Sequence, residues 1–472
     1  MEKNVLLWFK NDLRLHDNET LSNAIACGKQ IMPVFIFDPK VYRMLDLGFP
    51  KTDRVRLEFA KQCVMNLRKN LEAIGGNLMI LTGEPETLIP KLVEEYNCET
   101  IFAEQEFATE ELNLIRRIER KLKATCKFEL IWGRTLYHLD DIPYSIEDIP
   151  LTSKAYRIIT TKNTAVRSTL PAPKSVDCLS LNANETSDTN RWGTPPHPEE
   201  LGFKGKADFA LTYMKGGETE ALKRLDYYSF GSEQLTNYRW TRNRSLGLEY
   251  SSKFSPYMAL GCLSPRTIYE TVKRYEKEVK KNQSTWWLIF ELVWRDYFTF
   301  KLMRFQNQVY QTEGYTSKTK EFTNDPELFK RWCKGTTGIP FIDAHMRQLN
   351  ETGFMSNRGR VNCSSFLVYD YQVDWTWGAA YFESKLIDYD VASNWMNWHT
   401  QAYQIWYTNP VNQANKYRAQ DFIRKWVPEL SKLDDLAVLI PWEYDIPDYP
   451  KPDSIFKKWQ RAIAKIKKEN SE

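Results

Sequence analysis

Short apolar runs alternate with longer amphipathic stretches through the first part of the chain. Residues 5–9, 32–37, 78–81, 100–103 and 128–132 are nearly continuous apolar runs of strand length. Strands that are apolar on both faces are covered on both sides, which predicts a parallel sheet. Between them, residues 54–74, 86–95 and 110–123 repeat apolar positions every three to four residues, the period of a helix with one buried face. The alternation predicts a doubly wound parallel α/β domain over residues 1–140, in which a ligand would sit beyond the carboxyl ends of the strands.

The pattern dissolves at residue 141. Residues 141–205 are rich in Ser, Asn, Thr and Pro, including the stretch 182–190 and Pro195, Pro196 and Pro198. They predict an interdomain connector running over the surface. Helical spacing returns in residues 218–228, 265–280, 285–304, 340–349 and 358–369, so residues 206–472 are expected to form an almost entirely α second domain. Residues 447–472 read as a short basic helix or tail with a solvated face.

Composition narrows the function. Lys+Arg 65 against Asp+Glu 61 leaves +4, so any nucleic-acid footprint must be local. The eight cysteines are scattered without ligand-like spacing, and no metal site is expected; free thiols suit a reducing compartment. The N-terminus fits neither a signal peptide nor a spanning helix, so a soluble cytoplasmic protein is expected. No G-x-G-x-x-G follows the first strand, which disfavours a nicotinamide enzyme. Aromatics reach 14% of the residues, and of the tryptophans only Trp8, Trp132 and Trp192 precede residue 205. Core filling accounts for most such rings.

Three segments, 238–256, 290–296 and 355–397, place polar groups where core periodicity calls for apolar ones, a pattern that suits a large polar ligand in an aromatic shell. Ser251, Ser252 and Ser255 precede Pro256 and would suit a phosphate or serve as an ordinary helix cap. Glu291, Trp294 and Arg295 share a helix face, as a ligand-binding set or as a salt bridge beside a core tryptophan. Asp388 and Asp390 read equally as caps or as acceptors for a heterocycle's N–H.

Taken in order, these segments resemble the photolyase and cryptochrome family. The carriers are the opening Leu7-Trp8-Phe9-Lys10-Asn11-Asp12-Leu13-Arg14, residues 238–263, Phe290-Glu291-Leu292-Val293-Trp294-Arg295-Asp296, Gly353-Phe354-Met355-Ser356-Asn357-Arg358-Gly359-Arg360, and Leu386-Ile387-Asp388-Tyr389-Asp390 with Asn394. Within the family, Thr241-Arg242-Asn243, residues 251–256 and residues 355–360 look most like the cryptochrome-DASH branch. The resemblance implies an FAD-binding helical domain and either light-driven repair of cyclobutane pyrimidine dimers, chiefly in single-stranded DNA, or a non-catalytic blue-light photoreceptor. It assigns Tyr238, Ser251, Ser252, Ser255, Arg295, Arg360, Asp388, Asp390 and Asn394 to FAD, with Asn394 facing flavin N5. Glu291, Trp294 and Asn357 would hold the dimer, with Asn394 completing the catalytic set.

Trp398 and Trp375 match the proximal and middle tryptophans of the family's photoreduction chain. The terminal position falls on Phe322, and Trp332 is the expected substitute. Thr400 and Val361 depart from the usual dimer pocket, and the segment 398–410 is shorter than usual. The resemblance further allows a folate antenna, 5,10-methenyltetrahydrofolate, with Glu110 and Glu111 near its acidic contact or, as the residues alone read, a solvated helix start, and it implies a monomer working on DNA away from membranes. The paired histidines of six-four photolyases are missing near Ser356 and Asn357; His345 and His399 are expected to be packing residues.

Overall fold

A computed structural model describes residues 3–122, 126–180, 192–204, 214–404 and 407–469. Its sheet contains strands β1 (Asn4–Phe9), β2 (Ile31–Phe37), β3 (Met79–Thr82), β4 (Cys98–Glu104) and β5 (Lys127–Ile131), all parallel, in the order β3-β2-β1-β4-β5. The crossovers are α1 (Glu19–Ala26), α2 (Arg54–Glu72), α3 (Pro85–Glu95) and α4 (Thr109–Lys121). Alternate residues Leu6, Trp8, Met32, Val34, Ile101 and Ala103 form one core with Ile89 and Leu92 of α3 and Ile115 and Ile118 of α4. Val5, Leu7 and Phe9 are equally buried on the other face, which is why these strands lack alternation.

The remaining helices are α5 (Ser153–Asn163), α6 (Glu218–Asp226), α7 (Tyr238–Thr241), α8 (Ser255–Ala259), α9 (Pro265–Glu278), α10 (Gln283–Phe305), α11 (Pro326–Lys334), α12 (Pro340–Thr352), α13 (Asn357–Tyr369), α14 (Trp375–Lys385), α15 (Val391–Tyr403), α16 (Pro410–Lys416), α17 (Gln420–Trp426) and α18 (Gln460–Glu469). The chain divides into two units that interleave along the sequence. Within the described residues, the first holds everything up to residue 204, residues 214–236 and residues 253–306; the second holds residues 237–252 and 307 onward. The division therefore differs from the linear boundary expected near residue 205, because α8, α9 and α10 group with the sheet.

Buried polar bonds explain that grouping. Arg266 of α9 makes a bidentate pair with Asp17, 249 residues away, at 2.9 and 2.6 Å, and both side chains are buried. Leu13 N donates to Leu260 O, and Arg14 donates to the carbonyl of Gly261. Gly261 has φ +66, and a Cβ there would lie 1.8 Å from the carbonyl oxygen of Asn11, so a side chain is excluded twice over. Asp296 of α10 accepts from the backbone N–H of Leu136 (3.0 Å) and Tyr137 (2.9 Å), just beyond β5.

The segment expected to be a connector carries α5, whose Tyr156 is buried against Tyr297 and Phe300 of α10. Residues 182–190 of that segment lie outside the described residues. In the second unit, the C-terminal stretch ends in the expected basic helix, α18, whose Lys465, Lys467 and Lys468 are exposed, while its other side is docked: Tyr449 donates to buried Asp343 (2.6 Å), and Trp459, Ile463 and Ile466 are buried. The eight cysteines are free thiols, and among the described residues no helix is long and apolar enough to cross a membrane.

Burial pushes the Asp296 carboxyl up to about 7, outweighing the two N–H donors and Arg295, which pull it down. Because the folded value lies above the ordinary one, its stabilising contribution is complete below about pH 4 and is lost as pH rises through 7. Urea unfolding of wild type and Asp296→Asn from pH 4 to 8 is expected to show the wild type losing more stability over that window than the variant.

Candidate functional site

In the second unit, Ser356 caps α13 by accepting from Gly359 N (3.2 Å), which leaves Asn357 exposed at the first helical position. One turn on, Arg360 Nη2 donates to Asp388 Oδ2 at 2.6 Å, while its Nε donates to Met355 O. The Asp388 side chain is only 1% exposed, so the pair holds a carboxylate that burial alone would not tolerate. Asp390 accepts from Ser393 N (2.8 Å) and is the N-cap of α15. Of the two aspartates left open by the sequence, Asp388 is an ion-pair partner and Asp390 a cap.

Helix α15 then presents Asn394, Trp398 and Gln401 at i, i+4 and i+7, on one face. Asn394 donates its amide N–H to Ala379 O (3.0 Å), which fixes the amide's orientation. Trp398 fits only because position 378 is glycine: a Cβ there would lie 2.2 Å from its Cη2 and 2.6 Å from Leu367 Cδ2. Gln401 is 2% exposed, and neither amide atom finds a hydrogen-bond partner. Sequence reasoning passed over Gly378 and Gln401. The only signal was that Gln401 continues the Asn394–Trp398 face.

The aromatic neighbours of Trp398 are Phe382 (5.0 Å between ring centroids) and Trp332 (6.1 Å). Trp332 is fully buried and donates its indole N–H to Cys363 O at 3.0 Å. It therefore does not replace the terminal tryptophan expected at Phe322, since a terminal carrier must reach solvent. It adjoins Trp398 directly and leads on to Phe329 (6.0 Å), which meets half-buried Trp377 (5.3 Å). Trp375, also fully buried, packs on Trp395 (6.0 Å) and His399 (5.7 Å). His345 is a packing histidine, as expected: its Nδ1 lies 2.7 Å from Phe341 O, and burial lowers it to about 4, so it is neutral.

Tyr238, which opens α7, is buried, and Ser251 and Ser252 are half-buried. Lys253 takes φ +60. In the first unit, Ser255 is the first residue of α8 rather than its cap, which is Phe254.

Also in the first unit, α10 carries Glu291 and Trp294, both half-buried. Glu291 Oε1 accepts from the Trp287 indole N–H at 2.9 Å, which orients its carboxyl. Trp294 is set against Phe290, Tyr297 and Phe298 at 5.7, 6.2 and 5.7 Å. Arg295 donates to Arg134 O (2.7 Å). Glu110 is engaged by Lys51 and by Arg43 (3.4 Å), and Glu111 is pushed up to about 7 by burial and by Glu106. In the second unit, the Thr400 hydroxyl donates to Met396 O (2.6 Å), so it is spent on its own helix. Residues 405 and 406 of the short segment after Trp398 lie outside the described residues.

The donor set of the second unit suits the flavin implied by the resemblance. Buried carboxylates and amides (Asp388, Asn394, Gln401) complement ring N–H and carbonyl groups, the hydroxyls of Ser251 and Ser252 complement a polyol or phosphates, and Trp398 supplies an oxidisable ring. The unsatisfied amide of buried Gln401 marks a place where a polar group is wanted.

Comparison with known proteins agrees. Residues 287–471 match the FAD binding domain of DNA photolyase, and residues 5–177 match the DNA photolyase domain. The chain is 40% identical to a cryptochrome DASH of Synechocystis sp. over 98% of this chain and 97% of that one. It is 39% identical to a cryptochrome DASH of Natronomonas pharaonis over 95% of this chain and 97% of the relative. The crystal structure of a Synechocystis sp. cryptochrome superposes with a TM-score of 0.90 at 38% identity, covering 99% of both chains.

The close approach of Gly378 to Trp398 yields a test. Gly378→Ala is expected to cost about 1–3 kcal/mol of unfolding free energy by overpacking. The cost should shrink in a Trp398→Phe background, where the outer ring is gone; an equal cost in both backgrounds, measured by urea unfolding, would show that the indole is not the obstacle.

Proposed function

The chain belongs to the photolyase and cryptochrome family, most similar to its cryptochrome-DASH branch, and we propose that it splits cyclobutane pyrimidine dimers in DNA, chiefly single-stranded DNA. FAD is the cofactor. The observation that carries the proposal is the joint presentation of Glu291 and Trp294 on one accessible face of α10, an acid held in place by Trp287 beside an aromatic plate. A half-buried acid and indole on one face suit a flat, hydrogen-bonding ligand better than they suit packing.

When bound, reduced and photoexcited FAD would supply redox-neutral electron transfer for opening the two carbon–carbon bonds that join the bases. Trp294 stacks on the extruded bases, and stacking offsets part of the cost of taking them out of a strand. Single-stranded DNA avoids much of that cost, which supports the proposed preference. Glu291 hydrogen-bonds the thymine edge, and Asn357 offers a second polar contact. Tyr238, Ser251, Ser252, Arg360, Asp388, Asp390 and Asn394 are the proposed cofactor ligands. Trp398 is the proposed first donor in photoreduction and Trp375 the next, with Trp332 a buried neighbour of Trp398 rather than an exit. We place the activity in the cytoplasm, with the protein acting as a monomer.

A second reading, a blue-light receptor without repair activity, draws on Thr400. Its hydroxyl is committed to Met396, and it offers no ring where the family pattern has an aromatic that stacks on the dimer.

Purified protein, reduced anaerobically and illuminated with blue light, is expected to restore thymine absorbance in a dimer-containing oligothymidine, faster on the single strand than on a duplex, with no change in the dark. Glu291→Ala should slow repair by about 10–100-fold while FAD stays bound. Absence of repair on either substrate, with FAD bound and reduced, would favour the receptor.

A further inference from the structure

The first two turns of α10 carry a feature that repair of the dimer itself does not use. Trp286 is 47% exposed, a large indole left in water two turns before Trp294. It is stacked on Phe290 (5.3 Å between centroids, 21° between planes), and Phe290 in turn meets Trp294 at 5.7 Å. Positions 286, 290 and 294 follow i, i+4, i+8, so the rings form one stripe along the helix rather than a scatter. The stripe is about 12 Å long, the rise of three to four stacked nucleotides at about 3.4 Å each.

A guanidinium lies over its outer end. The guanidinium of Arg157, from α5, lies 5.6 Å from the Trp286 ring centre and 5.2 Å from that of Phe290. Its Nε is buried and finds no hydrogen-bond partner. Lys154 and Lys162 are exposed on α5, and Lys277, Lys280 and Lys281 are exposed just ahead of α10. A chain with a net charge of only +4 thus exposes five lysines on the segments that adjoin α10 and sets Arg157 over the two outer rings of the stripe. Planar rings between cations are the composition of a surface for unpaired nucleic acid, where bases stack and phosphates meet Lys and Arg.

We infer that Trp286, with Phe290 and Arg157, is a stacking platform for unpaired nucleotides flanking the lesion. The inference deepens the proposed repair function and rests on DNA being the substrate. Bases within a duplex are already stacked on one another and cannot use the platform, so it contributes to affinity for the single strand alone. Arg157 keeps the Phe290 face of the stripe fixed while the outer edge of Trp286 stays available.

The test is equilibrium binding, in the dark, of a fluorescently labelled undamaged 12-nucleotide oligothymidine and of a duplex of equal length. Trp286→Ala and Trp286→Leu are expected to weaken single-strand binding about tenfold, and Trp286→Phe, which keeps a stackable ring, to stay within about twofold of wild type. Duplex binding should change less than twofold in all three. Single-strand binding by Trp286→Leu equal to wild type would mean a generic apolar docking patch, and wild-type binding by all three variants would mean a solvated indole without a ligand; either overturns the inference. The substrate carries no lesion and sees no light, so failure of dimer repair is read separately. Far-ultraviolet circular dichroism of each variant excludes misfolding, and the half-exposed position makes misfolding an unexpected cause of lost binding.

Discussion

The pinning of Asp296 to the backbone beyond β5 is the interaction on which the working face of the first unit depends. Two parallel N–H donors, from Leu136 and Tyr137, hold one carboxylate in α10, and a helix held at a fully buried side chain cannot rotate about its axis. On the side that follows Asp296, Tyr297, Phe298, Phe300 and Leu302 are all buried. With that end embedded, the 100° step per residue dictates what the other end shows: Glu291, Trp294, Phe290 and Trp286 come to the accessible side. A carboxylate in apolar surroundings is costly, and its two amide partners are groups that would themselves be costly unsatisfied. Each thus relieves the other, which is why the contact can serve as a fixed point.

The second unit uses buried charge differently. Arg360 lies on α13 and Asp388 in the turn between α14 and α15, and their bond at 2.6 Å fixes the start of α13 against the turn that leads into α15. Removing Arg360 would strand the buried Asp388 carboxylate, at about 3–5 kcal/mol. Asp390 then starts α15 at a defined residue, so the cap sets the register in which Asn394, Trp398 and Gln401 line up. Electrostatics fixes the segments, capping fixes the helix phase, and a missing side chain at Gly378 leaves room for the one ring that the phase brings there.

The strands could be read from the chain to within a few residues because parallel strands buried on both faces have no polar face to blur the run of apolar residues. The grouping of α9 and α10 with the sheet could not. It rests on pairs such as Asp17–Arg266 and Leu136–Asp296, whose members are far apart in sequence and look like ordinary surface charge one at a time. Helix α5 was hidden for another reason: its flanks are rich in Pro, Ser and Asn, and it is stabilised by Tyr156 packing on α10, a tertiary effect that outweighs weak local propensity. The roles proposed for Glu291, Trp294, Arg360 and Asp388 come only from resemblance, since each alone reads as a salt bridge or core residue. For Arg360 and Asp388 the two readings coincide, because the ion pair exists and sits where the cofactor ligands are proposed.

Trp332 shows what sequence spacing cannot convey about aromatic chains. Its position ten residues after Phe322 made it a candidate neighbour of the missing ring, but spacing along a chain says nothing of which side of a helix faces solvent. Its indole N–H is spent on Cys363 O inside a dry core, and its stacked partners Phe329 and Phe382 offer no easier site for a positive charge. An oxidised tryptophan is trapped by losing its N–H proton to water or a base, and a buried carbonyl serves poorly as either. Burial therefore suits Trp332 to packing against Trp398 rather than to a terminal place. A ring such as Trp286, nearly half in water with the Arg157 guanidinium over it, calls for an explanation beyond the core.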